Sequence, residues 1–302
     1  MEPDLSNGRI IIDRDTSSAW VEVAHSARIM QDLLVGTPRA IKGSPLDVTN
    51  EFFPRDPVER WCRSYLSAAL EHLGMWADLV APLKLHPEAV LHHTPRPAQT
   101  LARAALESAS QAVWILAADN PREMARRHVS LVLDDWDQQK KAAIDPDTKS
   151  ALRARREEVL DLLSPAELDL RAPSYLTLVT SAAEEVRDNL SSHGLGDPAE
   201  IERLWRASAG SAHGKMWPAI ELRVSIEVDG RLYTFPDATA MSAMLILAEK
   251  VTSYGVARFI DRAGHESGLG ARLREAAESL YQRIPKIPGA PEGIARPGGA
   301  DV

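Results

Sequence analysis

A chain of 302 residues, 44% of them hydrophobic, can bury a substantial core without covalent staples. The single cysteine, Cys62, excludes a disulfide framework or a zinc-finger array, and a net charge of −8 argues against a broad non-specific grip on nucleic acid. No stretch approaches the ~18 apolar residues of a membrane span, and Met1 leads into acidic residues rather than a basic n-region and apolar h-region. A soluble cytoplasmic protein with no membrane partner is therefore expected. Abundant Ala, Leu and Arg, with few β-branched residues and only 5% aromatics, predict an all-α fold.

In chain order, Ile10-Ile11-Ile12 is too brief to assign. From Thr16 to Val35, the positions Trp20, Ala24, Ala27, Met30 and Leu34 fall at helical spacing, and Gly36 with Pro38 ends the run. Residues 37–55 read as a loop. A start signal then recurs: a capping residue, Pro, any residue, Glu. It stands at Asp56-Pro57-Val58-Glu59, Asn120-Pro121-Arg122-Glu123, Ser164-Pro165-Ala166-Glu167 and Asp197-Pro198-Ala199-Glu200, each offering an N-cap acceptor, a proline that needs no N–H, and a glutamate to close a capping box. Asp145-Pro146 opens similarly without the glutamate. Helices are predicted over 57–80, 97–118, 121–143, 146–163, 174–192 and 198–213. The alanine-rich 97–118 should be central and the charged 146–163 peripheral.

After Trp217-Pro218 the period changes from 3.6 to 2. Leu222, Val224, Ile226 and Val228 alternate with polar residues, Asp229-Gly230 signals a type I′ turn, and Leu232-Tyr233-Thr234-Phe235 returns, so one β-hairpin is predicted over about 220–235. Asp237 can cap a long helix to Ala263, and a last helix covers 267–283. Residues 1–284 read as one helical domain with a seam near 145–165, and 285–302, rich in Pro and Gly, as a flexible tail.

Chemistry concentrates on two helices. On 198–213, small residues surround Arg206 and His213, which share a face about 10.5 Å apart along the axis at ~1.5 Å per residue. Tight helix packing explains the small residues; a ligand close to the backbone is the alternative. On 97–118, Arg103, Glu107, Ser110 and Trp114 form one polar stripe, and a buried Arg and carboxylate must be paired or liganded. Either an internal Arg103–Glu107 bridge or a pocket shared with helix 198–213 satisfies that requirement, the pocket also drawing on Lys215 and Trp217. Arg126 and Arg127 cannot both face inward, so one of them, Arg126, is a candidate for the site. Glu22-x-x-His25 has di-iron spacing, but no second such pair exists, and no metal or cofactor is predicted. His92 and His93 precede a helix start, where an anion could sit. There is no Gly-rich phosphate loop and no Gly-x-Ser-x-Gly elbow.

An Arg followed after a short gap by His, here Arg206 and His213, on a late helix of an all-α bundle resembles the active-site signature of RNases in the HEPN superfamily. The intervening Ala207-Ser208-Ala209-Gly210-Ser211-Ala212 lacks the polar residue that often follows the Arg. The phrases around Arg103–Glu107 and Ser208–Gly214 are also similar to those of uncharacterised helical proteins common in actinobacteria. The HEPN resemblance implies metal-independent RNA cleavage, in a defence or toxin system, with His213 as general base or acid and Arg206 on the phosphate, across a homodimer. DNA, lacking the 2′-OH, should be inert. A small-molecule site lined by Arg103, Glu107, Trp114, Arg206, His213 and Trp217, and a non-catalytic interaction protein docking through the hairpin edge or the tail, are the alternatives.

Overall fold

The computed structural model describes residues 3–4, 9–10, 12, 14–84, 94–163, 168–190, 195–221 and 223–285. The predicted tail from residue 286, His92-His93 and the start signal at Ser164 lie outside the described residues. Among the described residues the architecture is all-α with an inserted hairpin, as expected. A two-residue pairing of β1 (Pro3–Asp4) with β2 (Arg9–Ile10) precedes α1 (Arg14–Val35), α2 (Pro45–Phe52), α3 (Val58–Val80), α4 (Pro95–Leu116), α5 (Pro121–Ala142) and α6 (Pro146–Leu163). Then come α7 (Tyr175–Leu190), α8 (Pro198–Ala212), α9 (Met216–Glu221), the hairpin β3 (Arg223–Val228) and β4 (Arg231–Pro236), α10 (Ala238–Arg262) and α11 (Leu269–Arg283).

The caps explain most boundaries. Asn120 accepts the N–H of Glu123 at 3.0 Å, Asp197 that of Glu200 at 2.8 Å, and Asp145 that of Thr148 at 2.8 Å. Asp56 departs from the pattern. Its carboxylate accepts from Arg155 of α6 at 2.6 Å instead of capping α3, and the Glu59 N–H is met at 3.3 Å by Asn50 of α2. The helix α2 itself corrects the loop expected over 37–55. Ser44-Pro45-Leu46-Asp47 is the same start signal with aspartate where the others carry glutamate, and Ser44 Oγ accepts the Asp47 N–H. The six-residue α9 was likewise not foreseen, because its Met216, Trp217 and Ile220 are exposed and leave no inward stripe.

The alanine-rich α4 lies centrally, packed by α3, α10, α7 and α8, with Ala98, Ala102, Ala105, Ala109 and Ala112 all buried. Small side chains let its neighbours approach closely. The same logic operates on α10, where a Cβ at Gly255 would stand 2.8 Å from Leu66 Cδ2 and 3.1 Å from Val113 Cγ2. The charged α6 is peripheral, burying only Val159 among its residues, in a small cluster with Phe53, Val132 and Trp136 apart from the main core. Ion pairs from Arg155 to Asp56 and from Arg156 to Asp137 fasten it. No helix among the described residues is long and apolar enough to cross a membrane.

Candidate ligand groove between α4 and α8

The helix α8 ends in a Schellman arrangement: the Gly214 N–H bonds Ser211 O at 3.1 Å, the Lys215 N–H bonds Gly210 O at 2.8 Å, and Gly214 has φ +70°. His213 is therefore the C-cap residue. Gly210 serves close packing, but against the chain's own return: a Cβ there would stand 2.6 Å from Pro218 Cγ and 3.3 Å from Trp217 Nε1. Trp217 thus covers the backbone of α8, and Lys215 is exposed in the turn between them.

Arg206 and His213 do not converge within one chain. Arg206 Nε donates to Glu202 Oε1 at 2.6 Å, one turn toward the N-terminus and away from His213. That is the direction in which helical side chains lean. Both residues are exposed.

The α4 stripe does meet α8. Arg103 Nη2 lies 2.8 Å from Glu107 Oε1, the same oxygen accepts Trp205 Nε1 at 2.8 Å, and the Arg103 guanidinium carbon stands 5.2 Å from the Trp205 ring centroid. One carboxylate oxygen thus joins two helices and neutralises Arg103, whose Nε stays buried without a hydrogen-bond partner among the described residues. The sequence reading missed Trp205, although its position one residue before Arg206 placed it on the adjoining helix face. Trp114 and Arg126 lie elsewhere, at the α5 end of α4. The Arg127 guanidinium stacks 5.3 Å from the Trp114 ring and donates to Trp114 O at 2.6 Å. Arg126 and Arg127 share one partner, Glu123. Hydrogen bonds from Arg126 above all, then from Arg127, hold the Glu123 carboxyl down at about 2.

A groove of about 520 Å³ opens where the end of α3, the start of α4 and the end of α8 meet. Its walls are apolar, with Met75, Leu79, Pro97 and Leu101, and its exposed polar points are Arg96 and Thr100, whereas Ser211 lines it with its Oγ closed off from solvent. Ser211 is 3% exposed, and its Oγ has no hydrogen-bond partner among the described residues. A buried hydroxyl without a partner is uncommon and calls for an explanation. Arg96 is exposed and its guanidinium has no partner among the described residues, while Thr94, the α4 N-cap, makes no side-chain bond to the first turn. The first turn of α4 brings one cation, Arg96, to the opening, while Pro95 and Pro97 contribute no N–H. His213 lies in sequence between two lining residues, Ala212 and Gly214. A second, smaller groove of about 380 Å³ lies at the other end of α8, lined by Leu195, Glu200, Leu204, Thr239 and Ile246.

Two groups noted in the sequence are structural. His25 packs edge-on against Tyr281 with ring centroids 6.0 Å apart, and burial lowers its pKa. Cys62 is fully buried, which pushes its thiol far up and leaves it unreactive. Among the described residues no three His, Cys, Asp or Glu side chains cluster to hold a metal ion. No family model matches the chain, and no curated protein or solved structure matches it either.

Proposed function

We propose that this protein binds a small amphipathic organic anion in the groove between α4 and α8. The observation that carries this reading is an apolar groove whose rim holds the exposed Arg96, a cation with no partner among the described residues. An apolar tail fits Met75, Leu79 and Leu101, and an anionic head fits the Arg96 guanidinium, since Pro95 and Pro97 leave Arg96 the one backbone N–H among the first three residues of α4. Its volume falls within the ~300–1,000 Å³ of small-molecule sites, but the groove is shallow and open, with Met75 and Leu79 exposed. It lies between the two helices expected to share a pocket, but on α4 it uses residues that precede the Arg103–Glu107 pair, from Arg96 to Leu101. Isothermal titration with decanoate tests the reading: binding should appear in the wild type and weaken about tenfold or more in Arg96→Glu and in Leu79→Trp, which fills the groove. Absence of binding at millimolar decanoate, or equal affinity in both variants, refutes it.

The HEPN-like alternative, metal-independent RNA cleavage by Arg206 and His213, has one observation in its favour. Both side chains are open to solvent, and the His213 ring has no partner among the described residues. Since they diverge within one chain, a partner copy would have to complete the site. Total RNA incubated with the protein in EDTA separates the readings: cleavage lost in Arg206→Ala and His213→Ala supports the catalytic one, and intact RNA at micromolar protein removes it.

A further inference from the structure

The hairpin stands on the bundle as an unfinished sheet. Among the described residues it contains only β3 and β4, which leaves the outer edge of each strand unpaired there. Val228 and Arg231 flank the two-residue turn Asp229-Gly230, whose φ values of 51° and 74° match a type I′ turn. The pair flanking such a turn exchanges both backbone hydrogen bonds, and the pattern then alternates along the ladder. Val224, Ile226 and Val228 therefore direct their N–H and C=O groups toward β4. Arg223, Ser225 and Glu227 direct theirs outward, to the free edge.

We propose that β3 pairs antiparallel with β3 of a second copy about a two-fold axis at Ser225, forming a four-stranded intermolecular sheet. In this register every outward-facing residue of β3 meets an outward-facing partner, so all the free-edge groups are hydrogen-bonded. Arg223 stands opposite the partner's Glu227, and Glu227 opposite the partner's Arg223. Both side chains are exposed, and neither has an ion pair among the described residues. On the other face Val224 stands opposite the partner's Ile226. A shift of the axis by one residue, to Ile226, sets Glu227 against serine and gives up one hydrogen-bonded row.

The β4 edge cannot do the same, because its outward-facing residues are Leu232, Thr234 and Pro236, and Pro236 has no N–H to donate. The apolar surface near the hairpin base points to the same occupant. Val224 is exposed, and so are Met216 at 71% and Ile220 at 69%, which lie one turn apart on α9. An isolated two-stranded hairpin is marginal in water, whereas four strands with one apolar face are stable. The two-fold contact is isologous, so it closes at a dimer and does not propagate.

Sedimentation equilibrium of the full chain from micromolar to about 100 μM measures the association. The wild type should be a dimer. Arg223→Glu and Glu227→Arg each place like charges opposite one another and should weaken it about tenfold or more, and the double reversal should restore it. Ser225→Pro removes the N–H at the axis while leaving the bonds to β4 in place, and should give a monomer with unchanged helical circular dichroism. A wild type that stays monomeric, a dimer that survives Ser225→Pro, or a double reversal as weak as the singles overturns the proposal.

Discussion

His128 makes acid stability a sharp test of the packing around α5. Its Nε2 lies 2.7 Å from Asp56 O, and because a carbonyl can only accept, Nε2 carries the proton. Its Nδ1 is then a bare lone pair, buried without a partner among the described residues, and the ring lies edge-on to Phe53 and Trp61 at centroid distances of 6.2 and 5.7 Å. Adding a second proton would bury a charge, and desolvation lowers the pKa from 6.5 to about 4 despite the opposing Asp56 carbonyl. Because the unfolded chain takes up this proton first, the contribution is full above pH 6.5 and is lost progressively as pH falls toward 4. Linkage gives about 2 kcal/mol lost at pH 5 and about 3 kcal/mol at pH 4 from this one ring. The comparison is urea unfolding of the wild type and His128→Gln at pH 7.5 and pH 5, since glutamine offers a neutral N–H near the Nε2 position and does not titrate. The wild type should lose about 2 kcal/mol more than the variant between the two pH values, carboxylate effects being common to both. Parallel losses would refute the account of His128 as a neutral, buried group.

Gly210→Ala should lower stability by about 1–3 kcal/mol, because the new methyl group meets Pro218, whereas glycine to alanine inside an unobstructed helix gains about 1 kcal/mol. A higher melting temperature would contradict the close approach of Trp217-Pro218 to α8. Trp205→Phe keeps the ring beside Arg103 and removes the N–H that Glu107 accepts, so a loss of about 1–2 kcal/mol in chemical denaturation is expected. No change would mean that water replaces the bond without cost. Gly214→Ala should cost about 1 kcal/mol through its left-handed backbone, and a neutral result would argue against the Schellman end of α8.

The helices were legible wherever a local signal sufficed. Asn120-Pro121, Asp145-Pro146 and Asp197-Pro198 announced their caps because an acceptor, a proline and the next N–H are neighbours in sequence, and Asp229-Gly230 announced the hairpin because the turn needs two positive φ angles. The helix α2 escaped because aspartate stood where glutamate was sought, and α9 because it buries no stripe of its own. Asp56 shows the limit of the local rule: a cap worth about 1 kcal/mol gave way to an ion pair with Arg155, 99 residues away.

The candidate site divides in the same way. That Arg103 and Glu107 could bridge each other followed from their i, i+4 spacing alone. That Trp205 completes the bridge, that Arg206 turns to Glu202, and that Arg126 and Arg127 share Glu123 required the packed bundle. So did the groove, whose Met75, Arg96 and Ser211 come from three separate helices. Periodicity and capping act within a turn or two of helix, and so the amino-acid order alone determined the all-α class, the hairpin and most element boundaries. Which side chains satisfy one another, and which polar group is left buried without a partner, was decided by helix-on-helix packing, because those energies depend on neighbours that only the tertiary structure supplies.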